Sequence, residues 1–321
     1  MRALLLVSLA CGASLLATDI AAQDLDSREY KLMLQPSKFG GKDPSQQANE
    51  LWTTKLKPII ARELDAREDG DPRHDGSFND SKERQIVFRD TADCTFDKHG
   101  YALRERAKLK KGQLVANSRE ITLKFRIPDI FIAADARPEK GKAKFEEDIA
   151  PLIAKVADGT GKETGAAFAQ PPSMRSMFSV SMEREPKPSN QLATFADAVA
   201  VYPDLPDRLS VAGAPKIAAD TKLEKGRTFH EVVLEGASVD LGHKLDAGID
   251  LSLWYEKGAF GDRDPEIAEL SFKYKIADSD DVAPAARRAL KLFKALQREL
   301  GDWASPERET KTSLALPKGC H

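Results

Sequence analysis

The 321-residue chain has little cysteine and little histidine, and beyond its first residues no long apolar run. The five histidines, at 74, 99, 230, 243 and 321, show no metal-ligand spacing. Gly159-Thr160-Gly161-Lys162 lacks the spacing of a phosphate-binding loop, and no Ser-His-Asp or Cys-His nucleophile arrangement stands out. Charge of one sign is missing too. Lys plus Arg, 49, nearly balances Asp plus Glu, 51, so net charge gives no reason to expect nucleic acid or an anionic membrane surface as partner. There is no internal repeat, low-complexity tract or inter-domain linker.

The first 22 residues are different in kind. Arg2 precedes an apolar run from Ala3 to Ala17, small residues follow, and Ala21-Ala22 fits a cleavage point. That is the pattern of a secretory signal, too short for a stable membrane span. The competing readings are a buried N-terminal helix and, from Ser8-Leu9-Ala10-Cys11, a lipoprotein signal, although the apolar run continues past Cys11. The expected mature chain, 23–321, is one exported domain, secreted or periplasmic, with no membrane span. Cleavage leaves Cys94 and Cys320. An oxidising compartment favours pairing them, which would pin the tail to the body; two free thiols are the alternative.

Composition is globular, 41% hydrophobic and 31% charged. Strands are expected at 29–34, 85–91, 101–108, 119–128, 177–185, 228–239, 248–256 and 267–276. Helices are expected at 49–64, interrupted at Pro58, at 143–156 with Glu146, Glu147 and Asp148 in its early turns, and at 284–300, ended by Gly301. Residues 65–81 read as exposed loop, and 186–226 as a strand plus turns.

Residues two apart share a face of a strand. Glu29 shares one with Lys31, and Arg104 with Arg106. Glu120, Thr122, Lys124 and Arg126 oppose Ile121, Leu123 and Phe125; Asp250, Ser252, Trp254 and Glu256 oppose Ile249, Leu251 and Leu253. Glu269, Ser271, Lys273 and Lys275 repeat the pattern. One reading is a sheet with a solvated charged face. The other is a closed antiparallel barrel with a polar interior, whose lysines and arginines require carboxylates or a bound anion.

Phe88-Arg89-Asp90-Thr91, followed by Gly100-Tyr101-Ala102-Leu103-Arg104-Glu105-Arg106 and by Thr122-Leu123-Lys124, resembles the signature of the CYTH-like, or triphosphate tunnel metalloenzyme, superfamily. Trp254-Tyr255-Glu256-Lys257-Gly258 and Glu269-Leu270-Ser271-Phe272-Lys273 resemble its last two strands. The resemblance implies an α+β fold: a closed eight-stranded antiparallel β-barrel, or tunnel, with flanking helices. It implies inward Lys31, Arg104, Arg106, Lys124, Arg126, Arg184, Lys273 and Lys275 gripping a phosphate-rich ligand. Glu29, Glu256 and Glu269 would hold Mg²⁺ or Mn²⁺.

The chain departs from the family pattern where metal would sit. Ser27 stands for the first glutamate of the family's opening Glu-x-Glu-x-Lys strand, and Ser271 and Lys273 stand for two glutamates of the last strand. The anion-holding half is kept while the metal-holding half is eroded. Three functions follow: a module binding a polyanion without metal chemistry, a metal-dependent triphosphatase or related phosphoanhydride hydrolase, and a non-catalytic scaffold acting through its outer surface.

Overall fold

Alternation of apolar and charged residues is carried into twelve strands of a computed structural model, which describes residues 25–41, 43–138, 142–256, 258, 260–278, 281–306 and 311–320. The expected signal segment, 1–22, lies outside the described residues. The strands are β1 (Ser27–Leu34), β2 (His74–Asp90), β3 (Tyr101–Lys110), β4 (Gln113–Leu114), β5 (Glu120–Ile127), β6 (Lys144–Pro151), β7 (Ile153–Ala157), β8 (Glu163–Phe168), β9 (Met174–Arg184), β10 (Glu224–Gly242), β11 (Leu245–Glu256) and β12 (Ile267–Lys275).

Ten of them form one mixed sheet in the order β2-β10-β11-β12-β1-β6-β9-β5-β3-β4, and β7 pairs with β8 in a separate hairpin. β2 also pairs with β3, so hydrogen bonding passes through nine strands and returns to its start. The pairs in this circuit are antiparallel except β1 with β6. The expectation of eight antiparallel strands differs from this by one strand, and that strand is β6.

β6 lies where the sequence suggested a helix. Phe145, Ile149 and Ile153 are four apart, a spacing that fits a helix face and, being even, one face of a strand equally well. Pro151 is a poor helix-interior residue and tolerable at a strand end. Two further expectations are corrected. The stretch read as loop at 65–81 already contains the start of β2, whose polar residues pair with β10 from His74 onward. The region 186–226 contributes helices Phe195–Val201 and Leu205–Val211 before β10 begins. Thr194 caps the first through a capping box with Asp197, a local signal that outweighs the β-branched residues of Val199–Tyr202.

One face of the sheet is apolar and carries the helices. Tyr30, Leu32, Leu251, Leu270 and Phe272 are buried with Leu292, Phe293 and Leu296 of the helix Val282–Glu299. Leu51, Trp52, Ile59 and Ile60 join them from a helical run spanning Pro44–Glu63. Asp43 caps its start, and a π-turn at Trp52–Leu56 precedes Pro58, the irregularity that the proline predicted. A second group, Leu103, Ile121, Leu123 and Met182, is covered by Phe195, Tyr202 and Leu205. Each fully buried Leu, Ile or Phe contributes roughly 1.5–3 kcal/mol, so the helices fix which face of every strand turns away from them.

The tail returns to the body. Cys320 is bonded to Cys94, 226 residues earlier, with Cα atoms 5.2 Å apart. The helix Lys311–Ala315 on this strap packs Ala315 and Leu316 against Phe88, Phe229 and Trp254. It runs so close to β10 that a Cβ at Gly226 would lie 2.0 Å from the Ala315 carbonyl oxygen. Reduction of the purified protein should therefore add two hydrogens to its intact mass. Cys94→Ser/Cys320→Ser should lower stability by about 2–5 kcal/mol in denaturant unfolding; unchanged mass and stability would contradict the bond.

Candidate functional site

The opposite face of the sheet is polar and lines a cavity of about 240 Å³. Eight cationic side chains and four carboxylates line it: Lys31, Arg104, Arg106, Lys124, Arg126, Lys144, Lys273 and Lys311, with Glu29, Glu146, Glu183 and Glu269. Ala102, Thr122, Ser181 and Trp254 complete much of the wall.

Local structure explains why the two arginines point there. The buried Asp90 carboxylate accepts backbone N–H bonds from Thr91, Phe96 and Asp97 at 2.7, 2.9 and 2.9 Å, shaping the turn between β2 and β3. Burial raises the pKa of Asp90, against the pull of those three donors. Gly100 then enters β3 with φ +78°, and a Cβ there would meet Arg126 O at 3.0 Å and the Phe125 ring at 3.2 Å. Asp-Thr and Gly in the motif thus set the entry to β3, and Arg104 and Arg106 follow on its polar face.

Asp148 on β6 organises the acid–base pairs. Lys31 Nζ donates to its Oδ1 at 2.6 Å, while Lys124 Nζ at 2.9 Å and Arg126 Nη2 at 2.6 Å donate to its Oδ2. Ser179 Oγ donates at 3.4 Å. Burial alone would push this carboxyl up; Lys124, Lys31 and Arg126 outweigh it and hold Asp148 well below the usual range. The other acids are occupied too. Glu29 meets Lys31 Nζ at 3.0 Å, Glu269 meets Lys311 Nζ at 2.7 Å, and Glu146 pairs with Lys273 and accepts from Ser27 Oγ at 3.1 Å. Glu231, next to the cavity wall, accepts from Trp254 Nε1 at 3.0 Å and faces Arg84 at 3.4 Å.

Arg104 and Arg106 stand apart. Among the described residues neither has a carboxylate within 4.0 Å, and their Nε atoms, with that of Arg126, are shut off from solvent with no hydrogen-bond partner. Arg104 has one side-chain bond, from Nη2 to Thr122 Oγ1 at 3.2 Å. Burial, and then the charge of Arg106, pull its pKa below the ordinary arginine value. Burial does the same to Lys124, bringing it to about 8; Asp148 opposes the shift, and Arg126 and Lys31 add to it.

Of the residues expected from the sequence, Lys31, Arg104, Arg106, Lys124, Arg126, Lys273, Glu29 and Glu269 come together around the cavity. Three do not. Arg184 pairs in register with Ile121 and lies on the apolar side, because the inward positions of β9 are Ser179, Ser181 and Glu183. Lys275 is exposed at the end of β12. Glu256 is exposed at the end of β11, 3.7 Å from Arg227. Glu29, Glu256 and Glu269 therefore do not form one set, and no group of three acids, histidines or cysteines suited to a metal ion occurs among the described residues. Each of the four cavity acids already faces a lysine ammonium that lines the same cavity, so a divalent cation would have to displace lysines to be held there.

Asp148, Glu146 and Lys311 were missed as site residues. For the two acids a signal existed, since Lys144, Glu146 and Asp148 alternate with Phe145 and Ile149. Lys311 carried none, because a tail residue reaches the cavity only through the strap.

No family profile matches the chain, and no curated protein matches it. Solved structures are similar to it in outline. A candidate adenylyl cyclase from Hippeastrum, described as having a dominant triphosphatase activity, shares 15% identity over 90% of this chain and 94% of its own, with a TM-score of 0.41. A candidate adenylate cyclase from Bacillus halodurans shares 12% over 90% and 98%, at 0.36. The mimivirus capping enzyme triphosphatase shares 10% over 84% and 89%, at 0.30.

Removing the Asp148 charge leaves Lys124 and Arg126 without a paired carboxylate and Lys31 with Glu29 alone. Asp148→Asn should cost about 3 kcal/mol or more in denaturant unfolding at pH 7. Because the folded pKa is depressed, this stabilisation is present above the ordinary aspartate value of about 3.9 and is lost as pH falls through the folded value. The gap between wild type and variant should accordingly narrow in acid; a gap independent of pH would contradict the network.

Proposed function

We propose that the chain is an exported, divergent CYTH-like tunnel protein whose strand circuit closes into a barrel around a site for a phosphate-rich anion. One observation carries this reading: Arg104 and Arg106 sit in the cavity with no carboxylate among the described residues within 4.0 Å, and Glu231, Glu120 and Glu183 act on them only from further away. An arginine held away from water without a counter-charge is costly. A phosphate group relieves that cost, because its oxygens match the planar guanidinium fork and the flanking ammonium groups. Lys124, whose charge burial weakens, gains when an anion arrives, and Thr122 and Ser181 add hydroxyls to the wall.

In this reading the lysines do the charge balancing that a divalent cation would do elsewhere. Lys31, Lys273 and Lys311 each hold an acid that could otherwise bind Mg²⁺ or Mn²⁺. Binding without metal chemistry is the reading we favour. Metal-dependent hydrolysis of a phosphoanhydride is the second, favoured by Glu29, Glu146 and Glu269 lining the same cavity as the arginines. Action through the outer surface alone leaves the unpaired arginines without a role.

The test uses the mature protein and tripolyphosphate, read by calorimetry and thermal shift with and without Mn²⁺. Metal-independent binding that raises the melting temperature is expected. Arg106→Ala should weaken it about tenfold or more, as loss of a charge-assisted hydrogen bond does. Affinity should also fall as pH rises past about 8, since Lys124 then loses its proton. Phosphate release that requires Mn²⁺ and is lost in Arg106→Ala would establish the hydrolase instead. Neither binding nor turnover would refute both readings.

A further inference from the structure

The polar interior is not uniform along its length. On β1 the inward positions run Glu29, Lys31, Met33; on β6 they run Glu146, Asp148, Ala150. Glu29 is level with Asp148, and Asp148 is level with Met177 of β9. Beyond Lys31 and Asp148 the inward positions of β1 and β6 turn apolar, at Met33 and Ala150, where β9 carries Met177 and then Arg175. There a second cavity of about 240 Å³ opens, walled by Met33, Pro151, Ile153, Phe168 and Met177. Lys31, Arg126, Glu269 and Lys311 line both cavities and so stand at the boundary between them.

Building on the anion-binding reading above, we infer that the ligand is an amphiphile, a phosphate or diphosphate ester of an aliphatic chain. Its head sits among the arginines and its chain lies in the Met33–Met177 pocket. The lining decides the chemistry of the second part. Two methionines and an isoleucine offer flexible, polarisable contact suited to a chain of variable shape. No Asn, Gln or His is among the described residues lining this pocket, and apart from Arg175 its charged side chains gather at the boundary with the anion chamber, so the stretch formed by Met33, Pro151, Ile153, Phe168 and Met177 offers no polar group to read the edge of a heterocyclic base. Asp148, Arg175, Ser305 and Thr312 are its other polar walls.

The test compares octyl phosphate, below its micellar concentration, with methyl phosphate, which has the same head and no chain. Calorimetry should show octyl phosphate binding about tenfold tighter or more, the expected gain from burying two or more methylenes. Met177→Ser and, on a different element, Ile153→Ser should each reduce that advantage severalfold and leave methyl phosphate within about twofold. Equal affinities for the two esters, or an advantage that both variants retain, would overturn the inference. Tripolyphosphate binding, measured alongside, reports on the anion site by itself: its loss would refute the anion-binding reading, whereas its presence with no chain effect would refute only the amphiphile. Co-sedimentation with phosphatidic acid vesicles then separates a membrane source of the ester from a soluble one.

Discussion

Three cations on one buried carboxylate hold the interior together. Lys31, Lys124 and Arg126 come from two strands on opposite sides of β6 and β9, and they meet only at Asp148. Without that charge the strands would present mutually repelling groups to a space that water reaches poorly. With it, β1, β6 and β5 are tied across the cavity rather than only edge to edge. The apolar packing of the outer helices decides which side chains turn inward, and Asp148 makes the resulting concentration of positive charge tolerable.

The same arithmetic leaves a surplus. Asp148, Glu29, Glu146 and Glu269 account for Lys31, Lys124, Arg126, Lys273 and Lys311, while Arg104 and Arg106 feel Glu231, Glu120 and Glu183 only from beyond ion-pair distance. A fold could have paired them internally, as Arg84 is paired with Glu231. That they lack an ion-pair partner beside small polar residues is what supports the proposed anion site. The strap contributes to the same balance, since Lys311 reaches Glu269 only because Ala315, Leu316 and the Cys94–Cys320 bond fix the tail against β2 and β10.

Much of this was legible in the order of residues. Period-two alternation marked the strands that place Lys31, Arg104, Lys124 and Lys273 inward, and Pro58 marked a real helical irregularity. Where the reading failed, the reasons are physical. An apolar spacing of four serves a helix face and a strand face alike, which is why β6 reads as a helix in the sequence and Asp148 as a residue of its early turns. Arg184 was placed inward although Ser179, Ser181 and Glu183 alternate with Val180 and Met182, a parity that needs only one residue of slip to invert.

The sequence by itself determined which residues could share a face, because backbone geometry makes that a local property. It also placed Gly100 directly before the Arg104 strand, and the structure shows why: the chain enters there with positive φ. Only the tertiary structure decided which face became the interior, because helix packing chooses it. Only it decided which acid answers which base, because those partners, Glu29 with Lys31 apart, lie 22 to 147 positions apart in the chain and meet through strand order alone.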